Sequence, residues 1–307
     1  MKKSARNSLA FLFVVFMVCG GLYSQNGKPS IIADGVEPVL VSADFKFTEG
    51  PAADTEGNVF FTDQPNDRIH KWSAENGKVS VYMENAGRAN GMYFDKKGNL
   101  LACADENSQL WQIGPDKKVT VLVDGFKGKR LNGPNDLWVD PKGGIYITDP
   151  FYKRDYWTHT EKEIEAERVY YLSPDRKKLS IVADDFVQPN GIVGSADGKT
   201  LYIADIGDKK TYSYTMGEDG SLSDKKLFAE LGSDGMALDE QGNLYLTGQG
   251  VTVFNKQGEK IQHIPIDENW TANVTFGGSQ GNILFITAMD SLYSLEMQVR
   301  GAHFESN

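Results

Sequence analysis

Six side chains in this 307-residue chain carry oxygen donors at one shared register. Glu49, Asn90, Asn135, Asn190, Asp234 and Asn273 each stand eight residues before a glycine: Gly57, Gly98, Gly143, Gly198, Gly242 and Gly281. Carboxylates and carboxamides without a thiolate or imidazole among them suit a hard cation. Two acids, Glu49 and Asp234, balance one divalent charge, so one Ca²⁺ is the first choice, with Mg²⁺, Mn²⁺ or Zn²⁺ as other occupants. Asn-Gly and Asp-Gly are also ordinary turn dipeptides, and Asn90, Asn190 and Asp234 are each followed by glycine. Glu49, a weak turn former, and Asn135 and Asn273, which precede Asp136 and Val274, fit that local reading poorly.

A ring of donors needs elements that repeat. Each of the six glycines opens a β-rich run: GNVFFTD, GNLLACAD, GGIYITD, GKTLYIAD, GNLYLTG and GNILFITA. They recur at intervals of 41, 45, 55, 44 and 39 residues, the period of a four-stranded propeller blade. The expected fold is all-β, a six-bladed β-propeller of four-stranded blades around a central channel. The first strand of each blade lines that channel, so the six donors should face its axis at one end.

The longest interval holds an insertion, DPFYKRDYWTHTEKEIEAERV, which the strand through Ile145 and Thr148 returns to the donor end of the channel. It is expected to cover the mouth, with Phe151, Tyr152, Tyr156 and Trp157 as an apolar wall for a sugar-like ring and His159 beside them; a self-packed surface loop is the other reading. His70, His263 and His303 fall in outer-strand patterns or in the tail and read as surface or filler. Cys103, in an apolar run with no base nearby in sequence, reads as an inert buried thiol. No nucleophile elbow, phosphate-cradling loop or zinc-protease helix is present.

The first 24 residues combine a basic start (Lys2, Lys3, Arg6), an apolar run from Leu9 to Val18 and small or polar residues through Ser24. This reads as a signal peptide, and so as export to the periplasm or medium, with a lipoprotein anchor at Cys19 as the alternative. The expected organisation is 1–24 signal, 25–36 linker, 37–298 propeller and 299–307 tail. With Cys19 removed, Cys103 has no disulfide partner. The net charge of −10 becomes −13 once the three basic signal residues are lost. Nucleic acid and anionic membrane are therefore poor partners, and no stable membrane insertion is expected after cleavage. The oligomeric state is not legible.

Four motifs, TEGPAAD around Glu49, RLNGPNDLWVD around Asn135, QPNGIVGSADGKTLYIAD around Asn190 and SDGMALDEQGNLYL around Asp234, resemble the senescence marker protein/gluconolactonase/luciferin-regenerating family. They stand in family order across about residues 37 to 295, and the LNxPND and TDPxY patterns look closest to its secreted bacterial gluconolactonase branch. The resemblance implies one divalent metal in the channel of a six-bladed propeller that hydrolyses aldonolactones. It implies Glu49, Asn190 and Asp234 as metal ligands, with Asn135 beside the metal or on it and in contact with substrate or water. It also implies that VEPVLVSADF completes the last blade. Two departures stand out: Ala52 and Ala53 where an aromatic often follows, and Gly133 where some members carry Arg.

The expected reaction is opening of a small-molecule sugar lactone, such as gluconolactone, through a metal-polarised carbonyl and an activated water. Asp234 or Asp136 would take the water proton, while Asn135 and Asn90, with Tyr152, Trp157 and His159 of the insertion, would hold substrate. The rivals are another metal-dependent esterase or phosphoesterase on the same site, and a non-catalytic, calcium-stabilised propeller that binds glycan or protein.

Overall fold

The computed structural model describes residues 30–304; the signal peptide reading, Cys19 included, lies outside the described residues. Twenty-four strands form six antiparallel four-stranded sheets. The inner strands are Thr48–Ala53, Ala89–Phe94, Leu137–Val139, Pro189–Gly194, Met236–Leu238 and Thr271–Gly277. Each lies against the next, and the sixth returns to the first. The six-bladed propeller read from the repeat is the fold observed. Blade 3 shows the common plan: Leu137–Val139 pairs with Ile145–Asp149, then Arg168–Leu172, then Leu179–Ala183.

The ring closes with a borrowed strand. Blade 6 takes its inner three strands from Thr271–Gly277, Ile283–Ala288 and Ser291–Glu296, and its outermost strand from Val39–Ser42. Val39 faces Ser294 and Leu40 faces Tyr293, so VEPVLVSADF completes the last blade as expected. The described part of the 25–36 segment also belongs to this closure: buried Ile31 joins the core beneath blades 5 and 6, and Ala33 N–H donates to the Glu296 carbonyl at 3.1 Å. At the other end, Gly301 bridges Asp239 and Ala302 N–H reaches the Leu238 carbonyl.

Apolar faces of neighbouring blades make the core. Between blades 2 and 3, for example, Leu101, Cys103 and Leu110 pack on Ile145, Ile147 and Tyr170. Cys103 is a free, fully buried thiol whose pKa burial raises, as its sequence context suggested. His70 is buried and stacks on Phe61, so it is filler. Among the described residues no helix is long and apolar enough to cross a membrane.

A repeated aspartate ties the second strand of a blade to the approach of its inner strand. Asp63 accepts from Lys46 and Phe47 N–H, Asp149 from Asn132 and Gly133 N–H, and Asp205 from Val187 and Gln188 N–H. Each carboxylate satisfies two amides just before a donor residue, which fixes where that residue enters the channel.

Removing residues 30–42 strips the outer strand from blade 6 and leaves the edge of Ser291–Glu296 unpaired. The truncated protein is expected to melt at least about 5 °C lower and to elute partly as oligomer, read by calorimetry and size-exclusion chromatography; an unchanged melting temperature would mean that the borrowed strand does not close the ring.

Candidate active site at the channel mouth

Four of the six donors enter the channel at backbone irregularities. In blades 1, 2, 4 and 6 the pairing between inner and second strands slips at Glu49, Asn90, Asn190 and Asn273, the local bend by which a bulge re-aims a side chain. The glycines that follow serve packing across the ring. A β-carbon at Gly91 would sit 2.4 Å from Asp136 Oδ1, and one at Gly235 would sit 1.8 Å from Asn273 Cγ. Asp136 and Asn273 therefore fill the centre of the ring, in space those glycines leave. This answers the Asn-Gly and Asp-Gly ambiguity: the glycine is required by close approach between blades.

Glu49, Asn90, Asn135, Asp136, Asn190 and Asn273 are buried, while Asp234 is half-buried at the mouth. Asn190 Nδ2 donates to Asp234 Oδ1 at 2.8 Å and to the Tyr152 hydroxyl at 2.6 Å. Trp270 Nε1 donates to Asp234 Oδ2 at 2.6 Å. Asn273 Nδ2 spans Glu49 Oε2 at 3.3 Å and Asp136 Oδ2 at 3.5 Å, and the Leu137 amide donates to Asp136 Oδ1 at 2.9 Å. Two buried oxygens, Asn90 Oδ1 and Asn190 Oδ1, have no donor.

Burial dominates the electrostatics. It pushes the Asp136 carboxyl up to about 7 and Asp234 up to about 6. Glu49 is raised well above the usual carboxylate range, first by burial and then by the negative charge of Asp234. Three acids and two orphaned amide oxygens make a strongly electronegative pocket, and the donor chemistry fits a hard divalent cation. Glu49, Asn190 and Asp234 are the residues suited to hold it, with Asn90 and Asn135 adjacent in the ring. Glu49, Asp136 and Asp234 act on one another electrostatically, but among the described residues no three acids, imidazoles or thiolates are grouped so as to hold one ion by themselves; the amide oxygens are the further donors at hand.

The insertion returns to this end of the channel. Trp157 is buried, stacks on His159 at 4.6 Å and donates through Nε1 to the Asp105 carbonyl at 2.8 Å. Tyr152 reaches the ring through Asn190, whereas His159 and Trp157 build the inner packing of the lid. The charges acting on His159 are those of Arg130 and Glu163, and its pKa is lowered, chiefly by burial. Away from the lid, beyond Asp136 and Asn273, the channel widens to an apolar cavity of about 310 Å³ lined by Met92, Leu137, Trp138, Ile192 and Phe304.

Three contributors escape a reading of the sequence. Trp270 stands three residues before Asn273 and bonds the donor of the preceding blade; a tryptophan placed just before an inner strand was the available signal. Asp105 and Arg154 are joined across 49 positions, a distance at which the sequence carries no local mark.

A six-bladed propeller with an acidic, amide-rich ring beneath an aromatic lid defines a class of small-molecule site at a channel mouth. The family described as SMP-30/Gluconolactonase/LRE-like region matches residues 47–290, and the chain belongs to it. The chain is similar to a gluconolactonase of Zymomonas mobilis, with 27% identity over 301 residues covering 88% of this chain and 84% of that protein. It is similar to the solved gluconolactonase of Xanthomonas campestris, with a TM-score of 0.81 and 30% identity over 87% of this chain and 91% of that one. Regucalcin, a calcium-binding protein of Agrobacterium tumefaciens, superposes with a TM-score of 0.72 at 18% identity over 85% of this chain and 94% of that one, a likeness of fold alone.

Raised carboxyl pKa values mean that the folded protein keeps protons which the unfolded chain has released. Their contribution to stability is complete below about pH 4 and is lost as the pH rises through 6 to 7. With chelator present, the melting temperature of the wild type is expected to fall between about pH 4.5 and pH 7.5, and to fall less in Asp136→Asn. Parallel slopes in the two proteins would show that Asp136 titrates normally.

Proposed function

We propose that this chain is a lactone hydrolase, acting on sugar lactones of the aldonolactone type with the help of one divalent cation, Ca²⁺ first. The observation that carries this reading is the pair of donorless amide oxygens, on Asn90 and Asn190, set among acids that burial leaves short of positive charge. Family membership and the gluconolactonases among its relatives favour a lactone as substrate. The basic and apolar start of the sequence favours an exported protein, periplasmic or secreted.

Glu49, Asn190 and Asp234 would hold the cation, with Asn135 alongside; when bound, it supplies Lewis-acid polarisation of the lactone carbonyl. The remaining work falls to the chain's own side chains. Both oxygens of Asp234 are engaged by side chains at short range, by Asn190 and Trp270, whereas the one side chain bonded to Asp136 is Asn273, at 3.5 Å, with the Leu137 and Ile192 backbone amides acting on its carboxylate. Asp136, raised to about 7, is thus the better acceptor for the proton of the attacking water, and Asp234 the second candidate. Water adds to the carbonyl carbon, the ring C–O bond breaks, and the proton held on the carboxyl passes to the departing ring oxygen. Asn135 and Asn90 orient the water and substrate hydroxyls, and Tyr152 closes the mouth against bulk solvent.

The test is hydrolysis of gluconolactone by the chelated protein with individual metals restored. Activity is expected to return with one divalent ion, to fall to background in Asp234→Ala, and to drop about a hundredfold or more in kcat for Asp136→Asn. Chelator-resistant turnover, or full metal-dependent activity in Asp234→Ala, would overturn the reading.

A further inference from the structure

Blade 2 carries Ala104 at the repeat position where Asp63, Asp149 and Asp205 each accept two backbone amides, and the residue after it, Asp105, opens the short turn Asp105–Asn107. The buried Asp105 carboxylate accepts from Arg154 Nε at 3.1 Å, from Gln64 Nε2 at 3.4 Å and from the Tyr156 hydroxyl, and its carbonyl accepts from Trp157. Asp105 is the anchor of the lid. Two lid residues, Arg154 and Tyr156, converge on this one carboxylate and a third, Trp157, on its carbonyl, at the foot of the wall that ends in Tyr152.

The side chain held in this way is a guanidinium. Arg154 lies 5.0 Å over the Tyr152 ring, and the Tyr152 hydroxyl touches Asn190. Its positive charge acts on Asp234, Tyr152 and Asp105 alike, so it stands at the same opening as the acids of the ring. Only Nε is bonded to protein; the terminal amino groups have no protein acceptor among the described residues, and 24% of the side chain is exposed. Arg88, the other guanidinium near Asp105, is turned to the Pro65 carbonyl and the Tyr156 ring. Arg154 therefore offers a rigid, partly desolvated fork at the mouth, the geometry that pairs with a carboxylate through two parallel hydrogen bonds.

We propose that Arg154, held by Asp105, determines specificity by binding a carboxylate carried by the lactone in addition to its ring ester, so that acidic sugar lactones are preferred over neutral ones. This rests on the lactone hydrolase reading. The ring ester faces the Glu49, Asn190 and Asp234 end of the opening, and the second acid group lies against the lid. Asp105 acts through Arg154 and is a positioning residue.

The experiment compares kcat/KM for glucono-γ-lactone and for its terminal-acid counterpart, glucaro-γ-lactone, in the wild type, Arg154→Met, Arg154→Lys and Asp105→Asn. The wild type is expected to favour the acid lactone. The acid-to-neutral ratio should fall at least about tenfold in Arg154→Met, as for loss of a charge-assisted pair, recover in part in Arg154→Lys, and fall in Asp105→Asn. An equal loss on both substrates, or an unmoved ratio, would show that Arg154 only braces the lid and would overturn the proposal. Calorimetric binding of glucarate against gluconate needs no turnover. Glucarate preference that vanishes in Arg154→Met supports the anion site even if neither lactone is opened, a result that would sink the hydrolase reading alone. Lactone hydrolysis without glucarate preference would sink the anion site alone.

Discussion

Desolvation of like charges is the constraint on which this molecule turns. Glu49, Asp136 and Asp234 converge at the channel mouth, where burial raises all three carboxyl groups. Such a cluster costs stability unless protons, hydrogen bonds or a cation compensate it. The amide nitrogens of Asn190 and Asn273, the Trp270 indole and the backbone amides of Gly50 and Leu137 supply hydrogen bonds. The amide oxygens of Asn90 and Asn190 point the other way: they are acceptors, and in a pocket already rich in acceptors they call for a positive partner. Much of the surrounding architecture holds that arrangement together.

The propeller does this by repetition with exceptions. Bulges turn the donor residues of four blades into the channel, glycines such as Gly91 and Gly235 let neighbouring blades approach, and the aspartates of blades 1, 3 and 4 fix where their inner strands begin. Blade 3 departs by placing Asp136 where the other blades carry glycine or valine, which puts a carboxylate at the ring's centre. Blade 2 departs by carrying Ala104 in place of the aspartate that fixes blades 1, 3 and 4, and by holding the lid with the next residue, Asp105. The closing strand Val39–Ser42 then converts six weakly bounded sheets into a ring whose registers cannot drift independently.

Much of this was legible in the sequence because it is periodic. The glycine spacing specified six blades and the eight-residue offset specified the ring, while the closing strand before Glu49 was legible only through the family resemblance. What escaped depends on contacts that the period does not encode. Arg154 and Asp105 meet only because a lid folds back over a neighbouring blade, and Trp270 reaches Asp234 across a blade boundary. His159 and Trp157 shared a promising segment with Tyr152, but side-chain direction within a loop separates the residue at the ring from those that pack behind it. The Asn-Gly pairs looked like turns because the local signal is the same; the distinguishing fact, a side chain of the next blade in van der Waals contact, is tertiary.

In the proposed function the ring binds one divalent cation, which compensates the buried acids. Isothermal titration of the chelated protein with CaCl₂ near neutral pH measures it directly. One site per chain is expected, with proton release as the raised carboxyl groups ionise, and loss of that site in Glu49→Gln. No saturable binding by any divalent ion, or a single site that persists undiminished in Glu49→Gln, would contradict it.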